Sequence, residues 1–162
     1  MAKELQITEA INEALDIIVN GTVKNADVIR INKDLICLHL SDIGLNAQLI
    51  KHFEEGKLRG KLGYATKVLK TLWTKSTMRV KIKIKDKEIS MKALMVVLAN
   101  ASKYGTGAVI NPVGNLYDGQ FEVVIMKRLD VSELFKMWFR PKTFNPSKIR
   151  LFPATSVSIK TS

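Results

Sequence analysis

Met78-Arg79-Val80-Lys81-Ile82-Lys83-Ile84-Lys85 sets an apolar residue at every second position and a cation at each position between. Side chains of a β-strand point alternately to its two faces, so this period of two makes one apolar face and one cationic face. It is the clearest strand in the chain. Lys85-Asp86-Lys87-Glu88 turns the chain after it, and the partner strand is expected over Ala93 to Ala99, where every residue is apolar. A strand apolar on both faces belongs in the middle of a covered sheet.

Working outward, Phe121 to Lys127 reads as a further strand, and short strands near Ile149 and Val157 lie in a tail punctuated by Pro141, Pro146 and Pro153. Upstream, Asp27 to Asn32 and Leu35 to Leu40 flank a short turn and predict a hairpin whose second strand is apolar enough to sit inside a sheet. Ser41 to Gly44 breaks the pattern. Helices are expected after a cap at Thr8, with Ile7, Ile11, Leu15 and Ile18 on one face and an end near Gly21. Others are expected over Asn46 to Phe53, along the stripe Leu62, Ala65, Leu69 and Leu72, and from Asp130 or Ser132 through Phe139. Strands outnumber helices and hairpins connect them. The fold class is therefore mainly β (α+β): a single antiparallel two-layer, β-sandwich-like domain with a few packed short helices.

A chain of 162 residues is long enough to bury about 70% of its unfolded surface without staples. Its one cysteine, Cys37, sits in an apolar run and reads as a small buried hydrophobe. No signal-peptide core and no apolar stretch of membrane-spanning length occurs, so a cytoplasmic protein is expected. The formal net charge is +11, and it is localised: Lys57 to Lys103 carries thirteen basic and two acidic residues, leaving the rest of the chain balanced. Such a field attracts an anionic membrane, nucleic acid or a polyanionic substrate, or serves only as a solvated face. A nucleic-acid-binding module would use Arg79 to Lys85 as phosphate contacts, but no aromatic interleaves with those cations to stack a base.

Motifs of catalysis are sparse. The chain has no Walker loop, no dinucleotide fingerprint and no His or Cys cluster at metal-ligand spacing, since His39 and His52 stand apart. Gly105-Thr106-Gly107 lacks the helix start behind it that a phosphate loop needs.

Leu98-Ala99-Asn100, Tyr104-Gly105-Thr106-Gly107, Asn111-Pro112 and Asn115-Leu116-Tyr117-Asp118-Gly119 lead in that order into the strand Phe121-Glu122-Val123-Val124-Ile125. This succession resembles the core pattern of the diacylglycerol kinase and sphingosine kinase-like lipid kinases, bacterial type. Asp27-Val28, the turn Ser41-Asp42-Ile43-Gly44-Leu45-Asn46-Ala47 and Gly60-Lys61-Leu62-Gly63-Tyr64 are similar to the family's hairpin, its Gly-x-Asp-Ala turn and its Gly-x-x-x-Tyr lead-in to a helix, with Asn46 where Asp is usual. The resemblance implies a β-rich C-terminal, substrate-side domain of a two-domain enzyme that phosphorylates a lipid hydroxyl from ATP.

The family's nucleotide signature Gly-Gly-Asp-Gly-Thr and its late catalytic Asp-Gly-Glu do not occur in this sequence. On that basis the chain is expected to lack the N-terminal kinase domain, ATP is expected in the parent enzyme only, no catalytic residue is assigned, and the chain alone is expected to be inactive. The partners implied are a lipid substrate, an anionic membrane surface through Lys57 to Lys103, and the missing kinase domain. The resemblance also implies a structural Mg²⁺ held by Asn115, the Asp118 carboxylate and the Gln120 backbone carbonyl, although Asn-x-x-Asp-Gly equally makes an ordinary turn. A stand-alone lipid-binding protein stays open beside the kinase reading.

Overall fold

A computed structural model describes residues 4–5, 7–8, 10–45, 77–103, 109–129 and 147–162. Nine strands and one helix occur among them: α1 (Ile11–Asn20), β1 (Ile29–Ile31), β2 (Leu35–Cys37), β3 (Leu40–Gly44), β4 (Met78–Ile84), β5 (Lys87–Ala93), β6 (Met95–Ala99), β7 (Phe121–Met126), β8 (Ile149–Ala154) and β9 (Ser158–Thr161). All pairings are antiparallel. They build a β1-β2 hairpin, a four-stranded sheet in the order β3-β6-β7-β8 and a three-stranded sheet in the order β5-β4-β9.

The alternation of Met78 to Lys85 is realised in β4. Val80, Ile82 and Ile84 are buried while Arg79, Lys81 and Lys83 are exposed. The buried face meets Val96, Val123, Ile125 and Ala154 of the four-stranded sheet, so the two sheets close on one core. On the other face of the four-stranded sheet Met95, Val97, Ala99, Val124, Met126 and Ile149 join a second core with Leu45, Leu94, Ile110 and Leu129. β6 and β7 are thus covered on both sides, which is why β6 and, after Glu122, β7 read as apolar runs.

The hairpin partner of β4 is β5, in register Met78↔Ala93 to Ile84↔Lys87, and not the run from Ala93 to Ala99. That run contains a corner. The chain leaves one sheet at Ala93 and enters the other at Met95, and the buried Leu94 between them donates its N–H to Met126 O at 2.8 Å and accepts from Leu45 N at 3.1 Å. Gly44 abuts this corner with φ +111°, where a Cβ would lie 2.6 Å from Leu94 O. Any side chain there would collide with backbone.

Three more expectations are corrected. Ser41 to Gly44 does not break the pattern but forms most of β3, an edge strand paired from Leu40↔Ala99 to Gly44↔Met95. Pairing to an apolar centre outweighs the low strand propensity of Ser, Asp and Gly. The hairpin's second strand is not inside a larger sheet: among the described residues β2 pairs only with β1, Leu35 and Ile36 are exposed, and Cys37 is half-buried. The first helix begins at Ile11 behind Ala10, leaving Ile7 outside it, and Thr8 Oγ1 accepts the Ala10 N–H just ahead of the helix. Its end is as read, with the Gly21 N–H bonded to Ile17 O at 2.9 Å. The helices expected over 46–53, 62–73 and 130–139, and the Gly105 turn, lie outside the described residues. No helix among the described residues is long and apolar enough to cross a membrane.

Candidate functional site

The site forms where the end of β6 meets the base of the hairpin. Asn100, next after β6, is buried, and its Nδ2 donates to Asp27 O at 2.6 Å and Leu38 O at 3.1 Å. Its N–H donates to His39 O at 3.0 Å. One amide thereby ties both ends of the hairpin to the four-stranded sheet. Its Oδ1 is buried with no hydrogen-bond partner among the described residues, and such an acceptor is costly unless a ligand or water meets it.

From the other side, the turn before β7 grips Asp27. Leu116 O accepts the Asp27 N–H at 2.8 Å, and Asp27 Oδ2 accepts the Gly119 N–H at 2.7 Å. Gly119 adopts φ +71°, a conformation glycine takes without strain. Within the turn Asn115 Oδ1 accepts from Tyr117 N at 3.1 Å and Asp118 Oδ1 from Gln120 N at 3.0 Å. These are the bonds of an ordinary Asx-type turn. The donor set also suits a hard cation, because it offers only oxygens, and the carboxylates of Asp27 and Asp118 accept from the adjacent amides of Gly119 and Gln120. No group of three or more His, Cys, Asp or Glu occurs among the described residues.

A cavity of about 560 Å³ opens beside this clasp, within the range of small-molecule sites. Ile31, Ile43, Leu98, Phe121, Val157 and Ile159 give it apolar walls, and Asp27, Arg30, Asn100, Gln120, Thr155 and Ser156 give it polar ones. Apolar and polar walls side by side suit an amphiphile. On the opposite face of the sheet Asn111 Nδ2 donates to Glu122 Oε2 at 2.5 Å and to Ala99 O at 3.3 Å, fixing the loop ahead of the Asp118 turn. Burial pushes the His39 imidazole below its ordinary pKa.

Residues 41–162 match the model of the YegS C-terminal NAD kinase β-sandwich-like domain. The chain belongs to that family. Three solved structures from Bacillus anthracis str. Sterne, all named as diacylglycerol kinases and two of them provisionally, share its fold. One aligns with a TM-score of 0.68 at 25% identity over 99% of this chain and 54% of its own. Another aligns at 0.65 and 20% over 99% and 51%, and the third at 0.66 and 23% over 99% and 53%. The chain therefore spans about half the length of these relatives. No curated protein matches.

Of the residues read from sequence, Asn115, Asp118 and Gln120 do share one turn. Asp27 and Asn100 were missed as site residues. Both stood inside family-like motifs, but their bonds join positions 92 and 73 residues apart. The orphaned Asn100 Oδ1 had no signal in sequence beyond the Ala-Asn pair itself.

Proposed function

We propose that this domain is the lipid-side wall of a diacylglycerol kinase-like enzyme, in which ATP phosphorylates a lipid hydroxyl and the nucleotide is held by another domain. The observation that carries the reading is the cavity beside the Asp27–Gly119 clasp, in a chain of this family. Apolar walls at Ile43, Leu98, Phe121 and Ile159 would take acyl chain, and the unpartnered Asn100 Oδ1 would accept the hydrogen of a hydroxyl or bridging water. Mg²⁺ would be held by Asn115, Asp118 and the Gln120 carbonyl, with Asp27 beside them. Bound there, the ion would brace the turn that positions Asp27. Motifs for ATP are absent from the sequence, so the chain by itself is expected to bind lipid without turning it over.

Titration with dioctanoylglycerol, followed by backbone amide shifts, tests this. Saturable shifts at Ile43, Leu98, Phe121 and Ile159 are expected, and Leu98→Arg should abolish them. Shifts elsewhere, or none, would overturn the reading, and label passing from ATP to the lipid above a heat-killed control would overturn the need for a second domain.

A further inference from the structure

The outer face of the three-stranded sheet is a closely spaced field of cations. In register, Arg79 stands opposite Lys92, Lys81 lies between Ser90 and Lys160, and Lys83 lies between Glu88 and Ser158. All eight side chains are exposed, and five cations face one carboxylate. Strands sit ~4.8 Å apart and same-face neighbours along a strand ~7 Å apart, so these charges occupy a tight planar grid. Like charges directly opposite, as in Arg79–Lys92 and Lys81–Lys160, destabilise a sheet.

Ordinary explanations do not account for it. A surface built for solubility intersperses both signs. Lysines that guard sheet edges belong on edge strands, yet three of these cations are on β4, the central strand. An anionic counter-surface would relieve the repulsion. Nucleic acid fits less well, since the face carries no aromatic or amide side chain to stack on or read a base.

β9 links this face to the cavity. Its outward Ser158 and Lys160 belong to the cationic grid, while Ile159, with Val157 just before the strand, lines the cavity. We propose that the outer face of the β5-β4-β9 sheet docks on an anionic phospholipid bilayer, so that the cavity stands one strand away from the lipid it receives. This rests on the lipid reading of the cavity.

The test uses the full chain and sedimentation with vesicles of phosphatidylcholine, with and without about 30% phosphatidylglycerol. The wild type should prefer the anionic vesicles and lose affinity steeply with salt. Lys81→Glu/Lys83→Glu should weaken that binding at least about 30-fold. Lys24→Glu/Lys33→Glu, which changes net charge equally away from the grid, should weaken it far less, and both doubles should stay folded, since all four positions are exposed. Equal losses in the two doubles, or no preference for anionic vesicles, would overturn the proposal. So would release of the wild type by duplex DNA at physiological salt. Dioctanoylglycerol binding in solution should survive Lys81→Glu/Lys83→Glu. If it survives while wild-type vesicle binding is absent, the docking face falls and the cavity reading stands.

Discussion

The two sheets solve opposite problems with the same kind of residue. In the three-stranded sheet one face is apolar and the other is wet, and β4 records this as strict alternation. In the four-stranded sheet β6 and β7 are covered on both faces, and alternation disappears. The difference separates stability from function: the inner layer holds both cores together, while the outer layer's solvent face is free to be chosen for a partner.

The largest expected effect lies in the inner layer. Ile125→Ala, at a position with 0% exposure, should cost about 2–5 kcal/mol in urea denaturation. Asn100→Ala would leave the carbonyls of Asp27 and Leu38 without their donor and should cost about 1–3 kcal/mol. Smaller again is the response to metal: millimolar Mg²⁺ should raise the wild-type melting temperature by mass action and leave Asp118→Asn almost unmoved, whereas identical responses would remove the ion from the turn. At the bottom, Lys83→Ser on the wet face should change stability by less than about 0.5 kcal/mol. A cost there comparable with Ile125→Ala would break the contrast between the layers.

Legibility in the sequence followed the same division. β4 was plain because one period spans the whole element, and β7 because Phe121 and the β-branched Val123, Val124 and Ile125 favour a strand. The corner at Leu94 was hidden by its neighbours, since a chain passing between two buried faces stays apolar throughout and nothing marks the change of sheet. β3 was hidden because Ser41, Asp42 and Gly44 are strand residues only through their pairing with β6. In the site, Asp118-Gly119 announced a turn by local chemistry. What that turn grips could not be read, because Asp27 reaches it through tertiary structure alone.

The lipid proposed for this domain would sit in the cavity beside the Asp27–Gly119 clasp. A photoreactive diacylglycerol analogue, activated on the full chain and mapped by peptide mass spectrometry, tests that placement. Labelling is expected within the peptides bearing Ile29 to Ile31, Phe121 and Val157 to Ile159, and an excess of dioctanoylglycerol should suppress it. Label on peptides that do not line the cavity, or label that excess lipid fails to displace, would contradict that placement.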